Sequence, residues 1–487
     1  MVKKKSITKN YIYNASYQVL TLITPLITTP YLSRVLGANG IGIYSFTASI
    51  VTYFTMFATL GTLTYGNREI SYLQDDRKAR SQVFWEIEIL SIITTLLSLL
   101  AYILFVFWAI EEHHVIYIAQ IFTILSAAVD IVWMLQGMEE FGKVIRRNIF
   151  FKLLLIIYIF TFVKSKEDLI LYIIGNVIIT FIGQLSIWMY LPRFVDLPEW
   201  KTIRPLRHLK GTLVLFLPTI AISIYTVLDK TMIGIFSNSY ENGYYEQGLM
   251  LSKTVLTIVT SLGTVMIPRL GYHHNRKEHE EVKNLLYQSY QFVWFLGIPL
   301  CFGVAGIAEN VVPWFYGDGF LKLTQLLPIL CLLIPIIGLS NVTGMQYLVT
   351  TRREKFLTIS VCIGAVVNFV LNLFLIPQWS ALGAACASVV AEFVITGVQF
   401  VFIYKEISVA RVLLCSRKYF FAGTVMLFLL RIENEYLLPS FLNTALMIIS
   451  GAITYFMILS ITKEEFTMEY IKKIFHRERK KGDKLEI

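Results

Sequence analysis

Charge is scarce in this chain. Only 16% of its 487 residues are Asp, Glu, Lys or Arg, where a soluble domain carries about 25%. That scarcity rules out a disordered chain, a fibrous protein and an ordinary soluble enzyme. Cysteine is equally sparse. Cys301, Cys331, Cys362, Cys386 and Cys415 lie in or beside apolar segments, and their spacing suits neither a metal cluster nor a disulfide framework. They read as small buried hydrophobes. No glycine-rich loop ends in Lys-Ser or Lys-Thr, which speaks against nucleotide hydrolysis. The histidines (His113, His114, His208, His273, His274, His279 and His476) fall in loops or the tail, never at metal-ligand spacing on a helix face. They read as interfacial polar residues. Neither a cofactor, a metal nor an enzymatic activity is expected.

What is abundant is apolar. Hydrophobic residues make up 56% and aromatics 14% of the chain, and the mean hydropathy is +0.62. A spanning helix needs about 20 apolar residues. The pattern predicts an all-α polytopic membrane protein of about 14 spans. They fall at 11–33, 41–65, 84–110, 115–136, 144–163, 169–191, 211–236, 243–267, 285–307, 320–347, 356–377, 380–404, 417–431 and 438–461. The apolar run from Tyr11 contains Pro25 and Pro30 and has no small-residue cleavage site. It reads as a first span and not as a signal peptide.

The net charge of +10 would suggest nucleic acid in a soluble protein. Its placement suggests topology instead. With a cytoplasmic amino terminus, the inner segments hold 35 Lys and Arg and the outer ones 5, namely Arg34, Lys164, Lys166, Lys322 and Arg431. Lys152, Lys230 and Lys253 fall inside spans. Such a bias places both termini in the cytoplasm of a multi-pass cell-membrane protein. Short outer loops are expected, the longest around Glu309 to Gly319. The main inner connections are expected at 67–81, 193–210 and 269–283.

The 193–210 connection divides the chain into a six-helix lobe at 1–198, a second at 199–406, and an added helix pair with a basic tail at 407–487. The tail mixes basic residues with Phe466, Tyr470, Ile471, Ile474 and Phe475, which suits an anionic inner leaflet; a solvated tail is the alternative. A faint repeat relates the halves. Gly40-Ile-Gly-Ile-Tyr44 joins the first pair of spans, and Asn242-Gly-Tyr-Tyr245 joins the seventh and eighth. Halves related this way are a transporter pattern.

Polar residues inside spans carry the functional signal. Four stripes follow the helical spacing of three and four. They are Asn14, Tyr17, Thr21, Thr24, Thr28; Thr52, Thr55, Thr59, Thr62; Thr219, Ser223, Thr226, Lys230; and Glu246, Lys253, Thr257, Thr260, Thr264. Helix packing by small hydroxyls is the alternative for each. Charges in a span usually face a polar interior. Lys253 is expected about 15 Å deep. Asp229 and Lys230 lie near the outer end of their helix, where an ion cluster with Glu246 is one reading. Asp130 has Lys152 as a candidate partner. Arg34 and Arg68 sit at helix ends, where snorkelling also explains them. Glu392, Asn368 and Asn372 add polarity to the second half.

Three stretches resemble one family. Pro30-Tyr-Leu-Ser-Arg-Val-Leu-Gly-Ala-Asn-Gly-Ile-Gly-Ile-Tyr-Ser-Phe46 is similar to the opening of Wzx-type polysaccharide repeat-unit flippases. So are Asp130-Ile-Val-Trp-Met-Leu-Gln-Gly-Met-Glu-Glu-Phe141 and Tyr225-Thr-Val-Leu-Asp-Lys-Thr-Met-Ile-Gly234. These belong to the multidrug/oligosaccharidyl-lipid/polysaccharide exporter superfamily. The resemblance implies two six-helix lobes around a central cavity and an undecaprenyl-pyrophosphate oligosaccharide as cargo. It also implies cavity cations on the first, second, seventh and eighth helices, where Arg34, Arg68, Lys230 and Lys253 stand. Thr55, Thr59, Thr226 and Thr257 would face the sugar, and Asp130, Asp229 and Glu246 are candidates for ion coupling. A polysaccharide polymerase and assembly proteins are expected partners, and nucleic acid is not. A cation-coupled drug exporter, or a membrane polymerase or glycosyltransferase, is the alternative. The first would favour an acidic, aromatic cavity, and the second a sizeable outer loop that this chain lacks.

Overall fold

The computed structural model describes residues 7–464 and residue 466, with side chains from Leu20 onward except at 217–219, 221, 222, 224, 225 and 264. The basic tail beyond Phe466 lies outside the described residues, as do the side chains of Asn14, Tyr17, Thr219 and Thr264. Every regular element among the described residues is helical.

The first two expected spans form one element, α1 (Ile7–Thr59), bent at Gly37. Gly37 has φ 67°, the left-handed region that costs glycine little. The chain turns back there between two apolar runs. A second break at Leu60 and Gly61 precedes α2 (Thr62–Tyr72). Then come α3 (Arg77–Ala109), α4 (His114–Val129), the short α5 (Val132–Gly137), α6 (Phe141–Phe162), α7 (Leu169–Leu185) and α8 (Leu209–Phe236). The later elements are α9 (Ser239–Thr260), α10 (Gly263–Asn275), α11 (His279–Tyr316), α12 (Leu323–Leu330) and α13 (Leu333–Asn341). A π-helical stretch, Val342–Val349, continues α13. α14 (Glu354–Ile403), α15 (Val409–Leu414), α16 (Arg417–Tyr436) and α17 (Phe441–Ile461) complete the chain. α14 reverses at Ser380, with φ 51°, and so holds two spans. Counted on both sides of the two bends, with broken helices taken as single spans, the segments among the described residues number 14, as expected.

Hydropathy ended several spans too early. The expected outer loop at 309–319 is largely helix, because α11 runs on to Tyr316. The expected inner loops at 67–81 and 269–283 hold most of α2 and α10. Helices that leave the hydrocarbon become amphipathic, so their polar turns look like loops to a hydropathy window.

The chain forms two compact units, Met1–Gly243 and Tyr244–Ile487. In the first, α1 packs on α3, α4, α6 and α8. One of its hydrophobic clusters is built on Phe84, which stacks on Trp133 at 5.3 Å and meets Trp85 and Trp188. In the second, α11 packs on α12, α13, α16 and α17. Asn310 fastens the α16–α17 turn. Its amide donates to the carbonyls of Leu437 (3.1 Å) and Leu438 (3.2 Å), and its oxygen accepts from Thr444 at 2.7 Å.

The compact units divide at 243/244, whereas the sequence suggests a division between repeats at 198/199. α8, the first helix after that point, packs on α1 and is counted with the first unit. Residues assigned to one side of the membrane do meet. Arg77 pairs with Asp196 at 2.8 Å, Lys78 with Glu199 at 3.6 Å, and Arg431 with Glu309.

Candidate functional site

In the first unit, two glycines from the repeat motifs close on each other. A Cβ on Gly42 would lie 1.6 Å from the carbonyl oxygen of Ser239, and one on Gly243 would lie 2.0 Å from that of Ala38. Only glycine lets the two backbones approach so closely. Ser239 also hydrogen-bonds Asn39. Below this corner the Asn242 amide donates to the Lys230 carbonyl at 2.8 Å. Thr231 shares hydroxyl bonds with Ser49 (2.8 Å) and Tyr53 (3.1 Å), and buried Asp229 lies within electrostatic reach of Tyr53. The corner thus ties the part of α1 after the Gly37 bend to α8 and to the start of α9. Arg34 is exposed just before the Gly37 bend.

The polar stripes are mostly self-satisfied. Thr55 donates to the Val51 carbonyl and Thr59 to that of Met56, each at 3.0 Å. Thr226 donates to Ser223 and Thr257 to Lys253, again at 3.0 Å. Threonines on helices commonly bond back this way. Each keeps lone pairs for a partner.

Lys253 and Thr257 share an exposed face of α9. Since α9 begins at Ser239, Lys253 lies about 21 Å along it. A lysine exposed at mid-span belongs against water or an anion, because hydrocarbon would be prohibitive. Glu246 is half-buried seven residues earlier on the same helix.

Asp130 does not use Lys152. Its Oδ1 accepts the Val132 N–H at 3.0 Å, and its Oδ2 accepts from the Gln184 amide at 3.0 Å. Gln184 in turn accepts from Arg147 at 2.9 Å. Asp130 thereby caps the break between α4 and α5. Glu88 was missed from sequence. It is 1% exposed on α3, within electrostatic reach of Asp130, and its Oε1 has no hydrogen-bond partner among the described residues. Asn368 and Asn372 are buried and bonded to each other at 3.1 Å, as helix-packing residues are.

His208 is no interfacial residue. It is buried, and its Nδ1 meets the Tyr65 hydroxyl at 2.9 Å while its Nε2 meets Glu86 at 2.9 Å. Glu86 is fully buried and also takes Arg207 at 2.5 Å. The cluster anchors the 194–208 connection to α3 and α2. Arg68 stands beside it on α2, 5.1 Å from the Tyr65 ring and paired with Glu69 at 3.0 Å. It therefore sits beyond the Gly61 break, on a different helix from Thr52, Thr55 and Thr59.

No group of three His, Cys, Asp or Glu among the described residues can hold a metal ion. A cleft of about 710 Å³ in the second unit is walled by residues such as Trp294, Phe302, Phe393 and Phe420, none of them charged. It cannot hold a phosphate.

A family model described as "Polysaccharide biosynthesis protein" matches residues 7–274. A putative O-antigen transporter of Escherichia coli (strain K12) is 23% identical over 427 residues, covering 82% of this chain and 97% of its own. A probable low-salt glycan biosynthesis flippase, Agl15, of Haloferax volcanii is 20% identical over 362 residues, covering 74% and 75%. Among solved structures, the lipid II flippase MurJ in an inward closed conformation has a TM-score of 0.72 at 16% identity. It covers 94% of this chain and 99% of that one, a likeness of fold. With the family match running over more than half its length, the chain belongs to the polysaccharide biosynthesis protein family, as a Wzx-type member of the multidrug/oligosaccharidyl-lipid/polysaccharide exporter superfamily.

Proposed function

We propose that this protein flips undecaprenyl-pyrophosphate-linked oligosaccharide repeat units from the inner to the outer leaflet by alternating access. Its product would feed a surface polysaccharide of capsule or O-antigen type. The observation that carries the reading is Lys253, a cation exposed at mid-span beside Thr257. In this reading Lys253, with Arg34, Lys230 and Arg68, attracts the pyrophosphate, while Thr55, Thr59, Thr226 and Thr257 meet the sugar. The repeats run over 1–198 and 199–406, with 407–487 appended and both termini cytoplasmic. The Gly42–Gly243 corner parts to release cargo outward. An interior-negative potential drives each negative charge outward by about 2.3 kcal/mol per 100 mV. A coupling ion returns on a carboxylate, for which Asp130, Asp229 and Glu246 are candidates. A polymerase and assembly proteins would take the flipped unit, and the basic tail would rest on anionic lipid.

The test is surface glycan in cells carrying Lys253 variants, with membrane protein quantified beside it. Lys253→Ala abolishes surface glycan at normal protein levels. Lys253→Arg keeps part of it, since a guanidinium binds phosphate oxygens in another geometry. Wild-type glycan from Lys253→Glu would remove Lys253 from the cargo's path. A drug exporter on the same scaffold would gain, not lose, from an acid at that position.

A further inference from the structure

We infer a phosphate-binding pocket at one end of the second compact unit, built around Arg353 and sharing no residue with the polar stripes. The pocket encloses about 440 Å³, and its wall includes His274, His279, Lys283, Arg353, Lys405 and Glu406. These residues come from the end of α10, the start of α11, the Arg353 turn before α14, and the turn just after α14. All of them belong to segments that the charge bias assigns to the inner side. Three fixed cations and two histidines face one carboxylate. Basic pockets between spanning helices on that side suit lipid head groups.

Arg353 gives the pocket its specificity. Its Nη1 donates to Glu406 Oε1 at 2.6 Å. The other oxygen of Glu406 accepts the Tyr347 hydroxyl, so the carboxylate is fully engaged. Nε and Nη2 of Arg353 have no acceptor among the described residues. Those two nitrogens share one edge of the guanidinium. Their N–H bonds point in parallel and match two oxygens of a phosphate. Leaving both donors of a cation without acceptors is costly inside a protein. The edge is shielded from water, with the guanidinium 5.3 Å from the Tyr347 ring and 5.8 Å from the Phe356 ring. Occupancy therefore turns that edge into the cleft. Lys283 is engaged at the rim, 2.8 Å from exposed Glu280, which leaves Lys405 and the histidines as secondary contacts. The ligand is a phosphate group, carried either on a lipid head group or as free phosphate.

The test uses the purified full-length protein in neutral detergent with phosphatidylcholine. The thermal unfolding midpoint is followed against dioctanoyl phosphatidate, dioctanoyl phosphatidylcholine and inorganic phosphate at matched ionic strength. A ligand that binds only the folded state raises the midpoint with concentration. The phosphate-bearing probes raise it and phosphatidylcholine does not. A rise with phosphatidate alone assigns the site to a lipid head group, and an equal rise with inorganic phosphate assigns it to the free ion. Arg353→Gln weakens the response about tenfold or more, the usual worth of charged hydrogen bonds. Because Arg353→Gln also breaks the Glu406 pair, two further variants keep the test decisive if it misfolds. Lys405→Gln weakens binding by a smaller factor, and Glu406→Gln strengthens it by removing the competing carboxylate. No midpoint shift with either phosphate-bearing probe, or the same response in wild type, Lys405→Gln and Glu406→Gln, overturns the site.

Discussion

Gly42→Ala sets two physical effects against each other. Gly42 lies inside a helix, where alanine is favoured over glycine by up to about 1 kcal/mol. Propensity alone therefore predicts a more stable protein. Packing predicts the reverse. The new Cβ would stand 1.6 Å from the Ser239 carbonyl oxygen, 2.6 Å from its carbon and 2.9 Å from the Gly243 nitrogen. All three are backbone atoms and cannot rotate away. To restore ordinary contact the corner must open by roughly 2 Å. Overpacking of this kind costs about 1–3 kcal/mol. If the corner parts during transport, a closed state weakened by about 2 kcal/mol loses roughly thirtyfold in population against the open one. Ile41, 6% exposed at the corner, is a suitable reporter once changed to cysteine. Gly42→Ala should speed its labelling by an impermeant maleimide by about tenfold or more over the native-cysteine background. Unchanged labelling together with a raised unfolding midpoint would show that propensity wins and that the corner is not a tight closure.

Two further outcomes follow from buried carboxylates. Glu88→Gln keeps the side chain's shape; it should reach normal membrane levels yet lose surface glycan if the Glu88–Asp130 pair carries the coupling ion, and wild-type glycan would dismiss Glu88. Glu86→Gln removes the negative charge that Arg207 and His208 share, at a cost of about 3 kcal/mol, so the detergent-solubilised protein should unfold a few degrees earlier; an unchanged midpoint would mean the connection is held instead by Arg77 on Asp196 and by Arg80, whose guanidinium donates to the Phe194 carbonyl.

Hydropathy and the charge bias found the spans because membrane burial selects for both. They also put Arg77, Lys78, Asp196 and Glu199 on one side, where the structure pairs them. The turns at Gly37 and Ser380 fall at the expected gaps between spans, 33–41 and 377–380, but their left-handed geometry does not show in the sequence. Each lies between apolar runs, and a left-handed residue leaves no mark on a hydropathy window. Glu86 and Glu88 stand two residues apart on α3 and point to different neighbours. Their partners, Arg207 and His208 for one and Asp130 for the other, come from distant segments that no local spacing reveals. Opposite charge alone makes Lys152 a candidate partner for Asp130. The broken helix instead required its oxygens for the Val132 N–H and for Gln184. The glycine motifs were visible as a repeat, but not that they touch.

The threonine stripes have a consequence for how labour divides in the proposed site. Thr55, Thr59, Thr226 and Thr257 each use their one proton on a carbonyl of their own helix. What they present outward is a lone pair, and so an acceptor. A sugar hydroxyl can donate to it, whereas a phosphate oxygen, itself an acceptor, cannot use it. The pyrophosphate therefore depends on cations such as Lys253, and the stripes can hold only the glycan. Thr257→Val keeps the side chain's shape and removes that acceptor. One neutral hydrogen bond is worth about 1 kcal/mol, or roughly fivefold in affinity. Thr257→Val should thus reduce flipping several-fold, measured as surface glycan at matched membrane protein, where Lys253→Ala abolishes it. The pair Thr55→Val and Thr59→Val should compound the loss without reaching zero. A Thr257→Val protein as inactive as Lys253→Ala would mean that the hydroxyl rotates to donate to the phosphate, and the division drawn from these hydrogen bonds would fail.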